Sequence, residues 1–198
     1  MDLKKEIKKL KKVKGKIRGE GILTNLEYIR YRKGEEGIKA VTKRLKELGE
    51  EIDFKSIRPM EWYPVYLDTL MDLAIMDALS WTEKDIFEMG NFAPKVSFLM
   101  RMMMKYFVSA KMSFTESPKY WNKNFDIGKL EAHEFNVKEK YMVFRVRNFK
   151  VHPITCVNHA GYFLRMAQFV LKSEKITIEE TKCIFKGDPY HEYVIRWE

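Results

Sequence analysis

The chain has 198 residues, 45% of them hydrophobic and two of them cysteine: enough apolar material for one folded core, too few cysteines for a disulfide-stapled secreted scaffold. No apolar run approaches the roughly 20 residues of a membrane-spanning helix, and the greasiest stretch, VYLDTLMDLAIMDAL, is interrupted by Asp68, Asp72 and Asp77. The net charge of +9 is lopsided, because residues 1–18 alone carry +7 and leave the remainder nearly neutral.

The chain divides near residue 20, where Gly15, Gly19 and Gly21 cluster: residues 1–20 form a basic arm and residues 21–198 a single domain. In the arm, Leu3, Ile7, Leu10 and Val13 or Lys14 fall on one helical stripe. Contact of residues 1–18 with nucleic acid or an anionic lipid surface, a packing or dimerising helix, and a solvated terminal helix all fit that pattern. No recognisable nucleic-acid-binding module is present, so no DNA-binding role is assigned. No apolar h-region of a signal peptide opens the chain, and a cytoplasmic setting with reduced thiols is expected.

Two helices follow, ILTNLEYIRYRKG and GEEGIKAVTKRLKELG. The second repeats Ile38, Val41, Leu45 and Leu48 at helical spacing, with Gly49 as its stop. A longer helix is expected over 62–80. Thr82 starts another as N-cap, with Asp85 as its acidic partner, and that helix is expected to break between Gly90 and Pro94. Residues 94–111, PKVSFLMRMMMKYFVSAK, form a helix that is apolar around most of its circumference. Its methionines suit either a core helix or the wall of an adaptable cavity. A short helix over 117–125 begins with Ser117 as N-cap and Pro118 at N1.

The C-terminal part alternates differently. Residues 129–147 read as a hairpin with VKEK as its turn, 153–172 as a helix, and 175–186 with 191–197 as a second hairpin closed by Gly187-Asp188-Pro189-Tyr190. The fold class is therefore α+β: a helical N-terminal half packed on a mostly antiparallel four-stranded sheet with one crossing helix.

Both cysteines lie in this last part, with Glu180 three residues before Cys183 and His191 eight after it. Thiolate, carboxylate and imidazole are the groups that bind a borderline-soft ion such as zinc. A hairpin sets Cys183 near His191, and the preceding helix can deliver Cys156. Glu180 falls on the opposite strand face unless a bulge or turn intervenes. The alternative is two reduced core cysteines, a salt-bridging glutamate and an exposed histidine. His152 and His159 flank Cys156 and are alternative ligands, expected on balance to be structural or pocket-lining.

The pattern C-x₄-G-Y from Cys156 to Tyr162, then Glu180-x-x-Cys183, then Gly-Asp-Pro and a ligand-type residue, resembles the 4-vinyl reductase domain, the small-molecule-binding domain at the front of phenol-sensing transcription activators. The resemblance implies a structural zinc on Cys156, Glu180, Cys183 and His191, with His191 standing where that family has a third cysteine. It implies an α+β fold related to heme-nitric-oxide-binding domains and to subunits of the TRAPP vesicle-tethering complex, enclosing an apolar cavity.

Catalytic motifs are missing: no G-x-S-x-G, no phosphate-cradling loop, no dinucleotide fingerprint and no H-E-x-x-H. The expected function is a sensor domain, non-catalytic, that encloses a small apolar or aromatic ligand or an acyl chain. Candidate lining residues are Phe98, Met102, Phe107, Trp121, Phe144, Tyr162, Phe163 and Met166. Occupancy is expected to shift closure or a homodimer equilibrium. Two other readings are a reductase acting on a vinyl or aromatic substrate, which needs a hydride or electron donor, and a dimeric scaffold without ligand. The related domains also suggest heme, but no motif singles out one of the four histidines as its ligand.

Overall fold

The computed structural model describes residues 3–98, 100 and 109–198. Helix α1 (Leu3–Leu10) opens the chain, and its stripe of Leu3, Ile7 and Leu10 is buried in the main core while its lysines face out. Strand β1 (Lys16–Arg18) pairs antiparallel with β2 (Trp62–Pro64). Between them α2 (Gly19–Glu47) joins the two helices expected from sequence into one, with a single non-helical residue at Gly34, φ 64°. That value suits a residue without Cβ, so the chain bends there and continues.

Helix α3 (Val65–Leu79) starts three residues later than expected, because residues 62–64 are the β2 strand. Helix α4 (Glu83–Val96) begins with the expected capping box between Thr82 and Asp85. The expected break between Gly90 and Pro94 does not occur, and the helix runs through both. Gly90 serves contact instead: a Cβ there would lie 2.1 Å from the Asn158 carbonyl oxygen, and one on Gly161 would lie 2.0 Å from the Phe87 carbonyl oxygen. The two glycines let α4 and the helix bearing Cys156 approach backbone to backbone. Most of the methionine-rich stretch lies outside the described residues.

Helix α5 (Ala110–Asn124) is longer than the expected 117–125. Ser109 caps it by accepting from the Met112 amide, while Ser117 donates to the Phe114 carbonyl inside the helix. Strands β3 (Lys129–Asn136) and β4 (Tyr141–Arg147), helix α6 (Pro153–Val170), β5 (Ile176–Lys182), a 3₁₀ turn (Ile184–Lys186) and β6 (His191–Trp197) complete the chain. The four long strands form one antiparallel sheet in the order β3-β4-β6-β5, so the α+β class holds. Buried side chains from helices and sheet form one continuous core. No described helix is long and apolar enough to cross a membrane.

Candidate functional site

Cys156, Glu180, Cys183 and His191 converge, one ligand-type atom from each lying within 4.8 Å of the others. Each is positioned by a separate local device. Cys156 sits in the first turn of α6, whose N-cap is His152; the His152 Nδ1 accepts from the Ile154 amide, which occupies that histidine as a cap. Strand β5 ends before Cys183, earlier than expected, and the chain turns into the 3₁₀ turn. There the Cys183 amide donates to the Asp188 carboxylate at 2.8 Å, so the Gly-Asp-Pro turn folds back and fixes the thiol.

Glu180 reaches the cluster through a register shift between Glu180 and Lys182 on β5, the irregularity its strand position requires. His191 opens β6 and is almost fully buried. Its Nε2 lies 3.0 Å from the Phe149 carbonyl. A carbonyl only accepts, so Nε2 carries the proton and Nδ1 presents its lone pair. Nδ1 is 3.5 Å from the Cys156 sulfur and 3.2 Å from a Glu180 carboxylate oxygen.

The two sulfurs are 3.9 Å apart. Burial, with the Glu180 carboxylate next, pushes the Cys156 thiol well up. Burial also works against the charge on Glu180, but the adjacent His191 ring and the two thiols outweigh it and hold its carboxyl below the ordinary value.

A cavity of about 130 Å³ lies between α2, α3, α5 and α6. Of the expected lining residues, Trp121, Tyr162 and Phe163 line it. Phe98 is 55% exposed. Phe144 is buried between Phe114 and Phe163, and Met166 is half-buried on α6 away from the cavity. Met102 and Phe107 lie outside the described residues.

The C-x₄-G-Y pattern thus divides its work within one helix. Cys156 belongs to the cluster, Gly161 to the contact with α4, and Tyr162 to the cavity wall.

Sequence reasoning missed most of the polar side of the cavity and anticipated only His159, as structural or pocket-lining. Glu20, Asn25, Asp68, Thr69, Asp72, Asn158 and His159 all line it. The Asn25 amide bridges the two aspartates, at 3.1 Å from Asp68 and 3.3 Å from Asp72. The second oxygen of Asp72 and the Thr69 hydroxyl are buried with no partner among the described residues. Ser97 donates to Glu20 at 3.0 Å. Burial pushes Asp68 up to about 7. Burial and then the Asp68 charge hold Asp72 well above the carboxylate range, with the nearby Asn158 side chain opposing them.

His159 is the one histidine on the cavity wall among the described residues. Burial, and then the nearby His191, bring it down to about 3, so its ring is neutral. Trp121, Phe125 and Phe149 surround that ring at 5.0 to 5.8 Å between centroids. A signal for the acidic pair was present: Asp68 and Asp72 are one turn apart in an otherwise apolar helix, which puts both on one face.

No protein-family model matches this chain, and no curated protein matches it. Solved structures do. An H-NOX protein from S. oneidensis in its Fe(II)NO ligation state is 12% identical, with 92% of this chain and 99% of that chain covered at a TM-score of 0.70. An oxygen-binding H-NOX domain related to soluble guanylate cyclases, as its oxygen complex, is 14% identical, covering 92% and 95% at 0.64. An H-NOX structure from work on heme distortion in that family is 15% identical, covering 92% and 95% at 0.67.

These neighbours correct the expected cofactor. The group named for proteins of this fold is heme, and zinc is named for none of them, so the assignment of zinc is withdrawn. Heme does not fit the residues present either. The cavity is about 130 Å³, where ligand pockets usually span roughly 300–1,000 Å³. Its described wall offers three carboxyls and no cation to meet the propionates of a porphyrin, and its one histidine is boxed by aromatic rings. The chain shares the heme-nitric-oxide-binding fold with these proteins, at identities that establish the fold alone.

Proposed function

We propose that this chain is a ligand-binding sensor domain that encloses a small, largely apolar molecule in the cavity between α2, α3, α5 and α6. The observation that carries this reading is a cavity walled by Val65, Trp121, Phe149 and Phe163, with Asp72 and Thr69 beside it carrying buried polar atoms that have no partner among the described residues. Apolar walls with a few convergent polar groups are what small-molecule sites have in common, and a buried polar atom without a partner is costly unless something satisfies it. The motif likeness to the 4-vinyl reductase domain and the fold shared with the H-NOX domains both support a binding role.

Cys156, Glu180, Cys183 and His191 serve as a closed ligand set for one transition-metal ion, clamping the β5–β6 hairpin to α6. Support comes from the convergence of two thiols, a carboxylate and an imidazole, with the sulfurs 3.9 Å apart. The His191 Nε2–H held by a carbonyl is the outer-shell arrangement of a metal-ligating histidine. A site with four protein ligands has no open position, so this role is structural.

Titration with single-ring probes tests the cavity. A ring compound should raise the melting temperature with saturable dose dependence, and Phe163→Trp, which adds bulk on the wall, should abolish that rise. The reading falls if no single-ring probe shifts the melting temperature.

A further inference from the structure

The cavity has an acidic end that its apolar walls do not explain. Asp68 and Asp72 stand one turn apart on α3 and share the amide of Asn25, and the second Asp72 oxygen, on a residue with no exposure, has no hydrogen-bond partner among the described residues. Glu20 adds a third carboxyl to the wall. The other titratable groups lining the cavity are Tyr120 on α5 and His159 and Tyr162 on α6. Burial keeps the His159 ring neutral and raises the Tyr162 phenol, so it stays protonated. No Lys or Arg lines the cavity among the described residues.

Among the described residues, the Asp68–Asp72 pair has no positive donor. Carboxyls held this close in a buried site retain protons unless a cation arrives, and a buried carboxylate is stabilised by a charge-assisted hydrogen bond. The volume bounds the body of the ligand at a single ring: an apolar cavity of about 150 Å³ holds benzene, and this one is about 130 Å³. The chemistry of the walls agrees, since Trp121, Phe149 and Phe163 present aromatic surface.

We infer that the cavity takes a primary amine on a single-ring body, its ammonium seated between Asp68 and Asp72 with the ring against Trp121 and Phe163. This rests on the cavity being the ligand site and goes further, by naming the ligand's charge and size. Binding an ammonium ionises the aspartate pair, so ligand uptake releases protons near neutrality and affinity rises with pH.

Calorimetric titration of the whole chain with benzylamine, benzyl alcohol and toluene, at about pH 5.5 and about pH 8, tests it. Benzylamine should bind at least about tenfold tighter than benzyl alcohol at the higher pH, the size of one charge-assisted hydrogen bond. That preference should shrink at the lower pH and vanish in Asp72→Asn, a near-isosteric change that removes the charge. If benzyl alcohol or toluene binds the wild type as tightly as benzylamine does, the amine assignment is overturned while the cavity stands as a ligand site. If none of the three binds, both readings are overturned. Unchanged benzylamine affinity in Asp72→Asn and Asp68→Asn also overturns the assignment. Should either variant lose its fold by circular dichroism, the wild type decides: titration in two buffers of different ionisation enthalpy must show proton release, and its absence overturns the inference.

Discussion

The imidazole of His191 is held by Phe149, whose carbonyl oxygen lies 3.0 Å from Nε2 and fixes which nitrogen faces the thiols. Phe149 also contacts Trp121, Phe125 and His159 at the cavity. One residue therefore touches the cysteine cluster through its backbone and the cavity wall through its ring.

The ligand role of the cluster predicts a stoichiometry. Purified protein should carry about one equivalent of a single transition metal per chain by elemental mass spectrometry, and Cys183→Ala less than about a fifth of that, with a lower melting temperature. Equal metal content in the two proteins would remove the cluster from that role.

The acidic pair predicts a reversed pH dependence of stability. Asp68 ionises near 3.8 in the unfolded chain but only at about 7 in the folded one, so between those values the folded state binds more protons. Stability then falls as pH rises through that window and levels off above it. For this group the loss is on the order of a few kcal/mol. Urea unfolding of wild type and Asp68→Asn at several pH values checks this: the variant should lack the decline, and at the alkaline end it should be the more stable protein.

Close approach of α4 and α6 predicts a large penalty at Gly161. A methyl group there would lie 2.0 Å from the Phe87 carbonyl oxygen, so Gly161→Ala must push the helices apart, at about 2–4 kcal/mol by urea unfolding. Gly34→Ala makes the contrast, because nothing lies within 4 Å of a Cβ there. Its cost is only the backbone conformation, φ 64° with ψ −163°, on the order of 1–3 kcal/mol.

The basic arm predicts a core effect rather than a surface one. Leu10 is 2% exposed, and Leu10→Ala should lower stability by about 2–4 kcal/mol. Lys8→Ala, on the same helix and outward-facing, should change it by less than about 0.5 kcal/mol.

These sites also show what could be read from the chain alone. Hairpins and the helix over 153–170 were legible because alternation and turn residues are local signals. The four-residue cluster was legible through residue type, and the bulge that Glu180 needs to join it is present. The cavity's acidic end was not, because Asp68 and Asp72 look like interruptions of a greasy helix until α2 brings Asn25 against them. Gly90 and Pro94 looked like a break for a similar reason. A glycine chosen for contact with another helix carries the same letter as one chosen to end its own.

Helix α6 is fastened at both its start and its middle, by Cys156 in the cluster and by Gly161 against α4. It therefore acts as the stator of the domain. Expansion to admit a guest is then left to the other walls, among them α5 with Tyr120, Trp121 and Asn124. That flank, and not the cysteine-bearing one, is where a spectroscopic label would register arrival.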